Sequence, residues 1–316
     1  MSTAALVVVK AGLLTTVQDL GRFGHQASGV PVGGPMDSFS HRLANQLVGN
    51  EPGAAALEIT LIGPELIVEA DTTMAITGAH FDVACDERSV PTGASFGVRA
   101  GSRLKFGRIH HGARAYLAVA GGVQTPLLLG SRATHLVSRM GGLAGRALVA
   151  GDRIPIASGA VPRPHRKSAG LTLPPKGRAL LRVLLGPQDH WFAPDALKMM
   201  VSVSFRISPR SNRMGYRLEG PPLPRVKDGE LISEPVGIGA IQVPAAGEPI
   251  LLMADRQTAG GYPKIGHVIS ADLPLAGQLA PGDFIEFTLC SQQEAVAALI
   301  ARERQLLRYA DLKGAL

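Results

Sequence analysis

The chain is poor in the residues that most often announce a chemistry. Its 316 residues hold two cysteines, Cys85 and Cys290, far apart and without metal-ligand spacing. Nothing suggests a disulfide framework, so a reducing cytoplasm is the expected setting. Aromatic side chains are few, nine Phe, four Tyr and one Trp, so the core must be mostly Val, Ile, Leu and Ala. No GxxxxGK(S/T) segment occurs, which removes the phosphate-binding loop of most ATP sites, and no GxGxxG opens a helix after a strand. The longest uncharged stretch, Ala115 to Ser131, is broken by Gly121-Gly122 and Pro126 and cannot span a membrane. The apolar run Ala4 to Val9 has no basic residue before it and reads as a strand, not a signal peptide. His110-His111 are adjacent, so on a strand they point to opposite faces, and no metal site is expected.

What the chain does have is glycine and proline. With 38 Gly and 23 Pro they make up nearly a fifth of the residues, yet 46% of the chain is hydrophobic. Short strands joined by tight turns satisfy both facts, and disorder does not. The net charge is +7. Nucleic-acid binding would add a basic stripe with interleaved aromatics, and here the arginines are dispersed. Arg206, Arg210, Arg213 and Arg217 look instead like holders of a carboxylate, because a guanidinium binds that group with two parallel hydrogen bonds.

The length favours two domains. We expect a first subdomain over 1–160, a linker over 161–178 in a Pro-, Ser- and Arg-rich stretch, a second subdomain over 179–290 and a terminal helix over 291–316. Strands are expected at Leu6–Val9, Leu66–Glu69, Thr73–Thr77, Phe96–Arg99, Arg103–Phe106 and Tyr116–Ala120. After the linker they are expected at Ala179–Leu185, Ser202–Ile207, Pro249–Ala254 and Phe284–Leu289. One helix should start at Asp37-Ser38 and stop at Gly49. Another should follow Ser291, which forms a capping box with Glu294. Gly93 to Gly97 matches the G-x-S-x-G nucleophile pattern, but the residues after it alternate like a strand, so Ser95 is not expected to be a nucleophile.

Two segments carry chemistry. In Gly239–His267 a short buried strand ends in Asp255, Arg256, Gln257, Thr258, Tyr262 and Lys264, interrupted by Gly260-Gly261. A rigid strand end followed by a glycine turn is suited to presenting side chains to a ligand. Asp255, Tyr262 and Lys264 are the expected catalytic groups, able to move a proton if burial tunes them. As a loop-end carboxylate, Asp255 is expected outside the core. Gln242, Gln257 and Thr258 are expected to bind substrate, the two amides facing a ring carbonyl. The second segment runs from Thr15 to Asp37, where Arg22 and His25 sit on a Gly/Pro-rich loop and Asp37 is placed to cap the helix. Arg22 and Arg213 are candidates for the substrate anion. The plainer alternative pairs Arg213 with an internal carboxylate such as Glu219 or Glu234.

The motifs TTVQDLGRFG (15–24), GVPVGGPMD (29–37), LEITLIGPEL (57–66), RAYLAVAGG (114–122), LGSRAT (129–134), SNRMGYRLEG (211–220), GAIQVP (239–244) and LMADRQTAGGYP (252–263) follow one another along most of the chain. On them the sequence resembles the family that takes in the second allophanate hydrolase component, the C-type component of 5-oxoprolinase and the KipA-like biotin-dependent carboxyltransferases. The resemblance implies an all-β fold with a few helices, as two tandem cyclophilin-like β-barrel subdomains. It implies the C-type role in an ATP-dependent 5-oxoprolinase, with a B-type (KipI-like) protein and an A-type ATPase as partners. ATP would be used by the complex, since this chain has no motif for it. Two alternatives stay open. One is the carboxyltransferase half of a biotin-dependent urea carboxylase. The other is a non-catalytic KipA-like regulator. The expected ligand is a small anion, with neither nucleic acid nor membrane as partner. His267 departs from the small residue that the resemblance leads one to expect there.

Overall fold

The computed structural model describes residues 4–157, 176–227, 229 and 231–311. The expected linker falls, as far as residue 175, outside them. The chain divides into two compact units, Met1–Phe23 with Gly33–Leu173 and Arg304–Leu316, and Gly24–Val32 with Pro174–Glu303.

The first unit is a nine-stranded sheet. Its strands are β1 (Ala5–Lys10), β2 (Leu14–Gln18), β3 (Ala56–Thr60), β4 (Glu65–Val68), β5 (Thr72–Cys85), β6 (Arg88–Ser89), β7 (Ser95–Val98), β8 (Arg103–Val119) and β9 (Arg153–Pro155). They follow the order β2-β3-β8-β4-β1-β9, while β5 pairs with β6, β7 and β8. The sheet curls into a half-barrel over a core of Leu, Ile, Val and Phe that includes Leu6, Leu57, Ile76, Phe81, Phe106 and Leu117. The sequence reads β8 as two strands because His110-His111-Gly112 interrupts its alternation. The chain stays extended there through irregular pairing with β5 at Gly78/His80, His80/Phe81 and Phe81/Val83. Helix α1 (Ser38–Val48) begins and ends where expected: Asp37 accepts from the Ser40 amide, and Gly49 takes a left-handed φ of 78°. Ser95 is buried at the start of β7, which removes the nucleophile-turn context.

The second unit closes. Its strands are β10 (Arg178–Leu185), β11 (Ser204–Ile207), β12 (Gly215–Glu219), β13 (Glu234–Pro235), β14 (Ala240–Gln242), β15 (Ile250–Leu252), β16 (Ala259–Gly260), β17 (Lys264–Val268) and β18 (Phe284–Leu289). Seven of them form a barrel in the order β10-β17-β14-β15-β12-β11-β18, and β10 pairs with β18 in parallel to complete the circle. Alternation sends Leu181, Val183, Phe205, Ile207, Leu218, Ile285 and Phe287 inward, all buried. β13 and β16 pair as a separate ribbon. Helices α2 (Pro194–Ser202) and α3 (Leu273–Gly277) connect barrel strands. The fold is thus mostly β, with four α-helices among the described residues.

The last helix, α4 (Gln292–Asp311), opens with the expected capping box: Glu294 accepts from the Ser291 amide at 2.7 Å, and the Glu294 amide donates to Ser291 Oγ at 3.2 Å. None of the described helices is long and apolar enough to cross a membrane.

Candidate functional site

The second barrel carries a polar pocket of about 220 Å³. Along β12 the residues alternate: Tyr216 and Leu218 are buried, while Arg217 is exposed. Arg217 lines the pocket, so the pocket lies on the outer face of the barrel. Met214, Ile250 and Leu252 give it an apolar floor. Arg210, Asn212, Arg217, Gln242, Gln257 and Tyr262 supply its polar groups. A second depression of about 200 Å³ shares Arg217, Ile250 and Tyr262 and continues past Pro244, Ala246 and Glu248. The site is therefore a short groove with two arginines along it.

The two glutamines are its most informative feature. Gln242 is 1% exposed, at the end of β14. Its Oε1 accepts from Gln257 Nε2 at 3.3 Å, and its own Nε2 is buried with no partner. A buried amide donor left unmade costs about 1–3 kcal/mol, which a ligand acceptor would recover. Gly260 makes room for this pair. A Cβ there would sit 2.9 Å from Gln242 Nε2 and 3.1 Å from Gln257 Nε2. At Gly261 it would sit 2.6 Å from the Leu231 carbonyl oxygen. The glycine pair of the motif is thus explained by close approach.

Asp255 is not a loop-end carboxylate outside the core. It is 2% exposed and held in a two-bond fork by Arg213, with Nε to Oδ2 at 2.9 Å and Nη2 to Oδ1 at 3.0 Å. The Asp255 amide also donates to the Arg213 carbonyl, and the Met253 amide to Met214. The pair straps the Ser211–Gly215 turn to the chain leaving β15, behind the pocket floor. Arg213 therefore has an internal carboxylate, as the plainer alternative held, but the carboxylate is Asp255. Glu219 faces Arg206 at 4.0 Å, and Glu234 faces Lys264.

Lys264 is buried and bonds Glu234; Gln188 joins them, donating to Glu234 at 2.8 Å and accepting from the Lys264 amide at 3.1 Å. The Lys264 ammonium holds the Glu234 carboxyl below its ordinary range. Burial, and then Lys264, push the half-buried His267 down, which keeps its ring neutral near pH 7. Arg256 donates to the Val236 carbonyl at 3.2 Å, and burial lowers its guanidinium too. The half-buried Thr258 contributes its carbonyl to the Val236 amide and does not line the pocket.

Of the expected residues, the structure brings Gln242, Gln257 and Tyr262 into one pocket and sets Asp255, Arg213 and Lys264 in supporting pairs. Arg22 belongs to the first unit, is buried, and donates to the Ala133 carbonyl at 2.6 Å and the Leu128 carbonyl at 3.3 Å. His25 precedes a short 3₁₀ turn, where its carbonyl accepts from the Ser28 and Val30 amides. Neither lines the pocket. Arg210, Asn212 and Arg217 do: the two arginines are among the four expected carboxylate holders, and Asn212 is not singled out by the sequence. The alternation around Tyr216 is the signal for Arg217. Nothing in the sequence separates Arg210 from Arg213.

The pocket is smaller than the roughly 300 Å³ at which sites for drug-sized ligands begin, so it has room for a small molecule and not for ATP. Among the described residues no three His, Cys, Asp or Glu side chains converge as a metal cluster.

Residues 28–289 match the family described as carboxyltransferase domain, subdomain A and B. The chain is 42% identical to the C component of 5-oxoprolinase of Escherichia coli (strain K12), over 95% of this chain and 96% of that protein. A solved protein called TTHA0988 is 40% identical, with a TM-score of 0.82 over 90% of this chain. The chain spans only 56% of that protein's length. The urea carboxylase of Kluyveromyces lactis is 31% identical, with a TM-score of 0.91 over 98% of this chain and 29% of that one.

Proposed function

The chain belongs to the carboxyltransferase-domain family, subdomains A and B, and on that premise we propose that it is the C-type component of an ATP-dependent 5-oxoprolinase. In this reading it acts with a B-type (KipI-like) protein and an A-type ATPase in the cytoplasm, opening 5-oxoproline to glutamate. The observation that carries the reading is the groove in which an unpartnered amide donor stands beside two arginines. A 5-oxoproline molecule presents a lactam carbonyl and a carboxylate on one small ring. Gln242 Nε2 donates to the lactam oxygen, with Gln257 holding its amide in orientation. Arg217 and Arg210 take the carboxylate, and Arg217 offers the planar fork that such an anion fits. Tyr262, half-exposed at the rim, is the titratable group placed to pass a proton to or from the lactam nitrogen. Asp255 and Lys264 then serve as positioning residues: one fixes the pocket floor, the other the loop that carries Tyr262. ATP is assigned to the A-type partner, because this chain carries no motif for it.

The same donor and arginines suit a ureido carbonyl beside a carboxylate, and the match to a urea carboxylase over nearly the whole chain favours that second reading. The test is reconstitution with the A-type and B-type partners, following glutamate release from 5-oxoproline with and without ATP. ATP-dependent glutamate is the expected result. A complex that releases none, yet moves the carboxyl of carboxybiotin to a urea-type acceptor, overturns it for the second reading.

A further inference from the structure

The charged side chains lining the pocket of the second barrel have one sign. Arg210 and Arg217 line it, and among the described residues no Asp or Glu does. The neutral groups point the same way. Asn212 Oδ1 accepts from the Met214 amide at 2.8 Å. Only the oxygen of a carboxamide can take that bond, so Nδ2 is the end that Asn212 offers to the pocket it lines. Gln242 is fixed by the same logic: its oxygen accepts from Gln257 Nε2 at 3.3 Å, and its buried Nε2 has no partner. The bond leaves Gln257 Oε1 as an uncharged acceptor. The pocket thus presents two guanidinium groups and two oriented amide donors. Against them stand the Tyr262 hydroxyl and one neutral amide oxygen.

A ligand nitrogen meets opposite receptions here, according to its bonding. Within an amide it is uncharged and carries one hydrogen, for which Gln257 Oε1 suffices. As an ammonium it brings a full positive charge beside two guanidinium groups and finds no carboxylate. Like charges repel more strongly where water is partly excluded, and the ammonium loses hydration that nothing replaces. The carboxylate of Glu248 lies in the adjoining depression, 4.0 Å from Arg210, with both side chains more than half exposed. It draws a cation out of the first pocket, not into it.

We propose that this pocket selects small carboxylates whose nitrogen is tied up in an amide, lactam or ureido group, that it rejects free amino acids, and that Asn212 is a specificity-determining residue for the choice. The ligand class follows from the lining; that the groove is the substrate site rests on the 5-oxoprolinase reading. In that reading, ring opening breaks the bond between the ring nitrogen and the carbonyl carbon. The oxygen of water joins the carbon, which becomes the second carboxylate. Both hydrogens of that water end on the nitrogen, which becomes an ammonium. The product therefore carries, on the same atom, the charge that the pocket excludes. Glutamate leaves the first depression, and Glu248 in the second suits its ammonium better. A site of this kind sorts product from substrate by charge alone, and rejection comes from what it lacks.

The test is calorimetric titration of the full chain, alone and in the reconstituted complex, with 5-oxoproline, cyclopentanecarboxylate and L-proline. All are five-membered rings bearing one carboxylate. 5-Oxoproline should bind at least ~10-fold tighter than cyclopentanecarboxylate, the worth of one hydrogen bond to the lactam. L-Proline should bind at least ~10-fold more weakly than cyclopentanecarboxylate, because only its ammonium sets it apart. These ligands test the selection without any substitution. Asn212→Asp keeps the oxygen that accepts from Met214, so its melting temperature should hold within about 2 °C. It turns the pocket-facing donor into a charged acceptor, and should shift the ratio of the two affinities at least ~30-fold toward L-proline. L-Proline binding as tightly as cyclopentanecarboxylate overturns the proposal. So does an unchanged ratio in the folded variant, or no binding of any of the rings to chain and complex. ATP-dependent glutamate release without this order of affinities strikes the selection and leaves the activity reading standing. The order of affinities without glutamate release keeps the selection and sinks that reading.

Discussion

At Gly260 the site depends on a single missing carbon. The residue has an ordinary backbone, since it is not among the glycines with positive φ, so its identity is set by space alone. The atoms a Cβ would strike are the far ends of two flexible glutamines, and the fold can yield there. Gly260→Ala should therefore melt within about 2 °C of the unaltered protein. Its affinity for 5-oxoproline should nonetheless fall by roughly tenfold, the worth of one hydrogen bond whose donor has been pushed aside. Calorimetric titration of the assembled enzyme checks this, and unchanged affinity would remove Gln242 from the site. The Arg213–Asp255 fork behaves in the opposite way. Asp255→Asn takes the negative charge out of the buried fork, a loss of about 3–5 kcal/mol and a melting point lower by on the order of 10 °C. Arg213→Lys keeps the charge and loses the fork, so it should melt lower too, with substrate affinity at saturating folded protein unchanged. Thermal melts beside binding isotherms separate the two kinds of residue. The sequence exposed the identity of these groups but not their pairing. Arg213 meets Asp255 only because the turn after β11 folds against the end of β15, and no local spacing encodes that.

Among the elements, α1 carries a titration. His41 lies on it fully buried, its Nε2 3.0 Å from the Gln18 carbonyl and its Nδ1 without a partner. It packs edge-on to Tyr116, which donates to the buried Glu58 and is itself pushed well above its usual value by burial. Burial lowers His41 below its ordinary 6.5, so the unfolded chain takes up a proton at a higher pH than the folded one does. Stability is then greatest above that ordinary value and falls as the pH drops below it, until the folded ring also protonates. Melting curves taken from pH 7 down to pH 5 should show this loss, and His41→Gln should flatten the slope. A slope unchanged in the variant would assign the acid sensitivity to the Glu58–Tyr116 network instead. Both caps of α1 were legible because capping is a local rule: Asp37 and Gly49 act within one turn of their own chain. The capping box of α4 was legible for the same reason. The short strands β14 and β17 were missed, while β15 lies inside the expected strand Pro249–Ala254. Three to five residues are too few to show a period, and Gln242 and Lys264 are polar groups buried by neighbours distant in sequence.

At the scale of the whole chain, alternation and turn residues showed a β protein, and the motifs showed which one. Barrel closure was not visible in the alternation itself, because parallel pairing leaves no hairpin signature, and was expected only from the family resemblance. The proposed function is likewise not that of one polypeptide. In the proposed reading the chain contributes the groove for the small anion, and its sequence carries no phosphate-binding loop. The isolated chain should bind 5-oxoproline weakly and release no glutamate from it, with or without ATP. Steady-state assays of the purified chain, alone and then with its partners added in turn, check this. Turnover by the chain alone would show that the missing chemistry is present here after all.

The parallel seam of the second barrel also sets an order of events. Arg178 opens β10 and its partner is Phe284 on β18, so the first strand of the barrel must wait for the last. While the ribosome is still translating the residues between them, β10 has β17 to come on one side and a bare edge on the other. Such an edge is a template for pairing with the wrong chain. Closure over so long a loop is slow. Messages cut short before β18 should therefore yield aggregates rather than a smaller soluble barrel, and production in the cell should respond to chaperone supply more than the finished protein's stability would suggest.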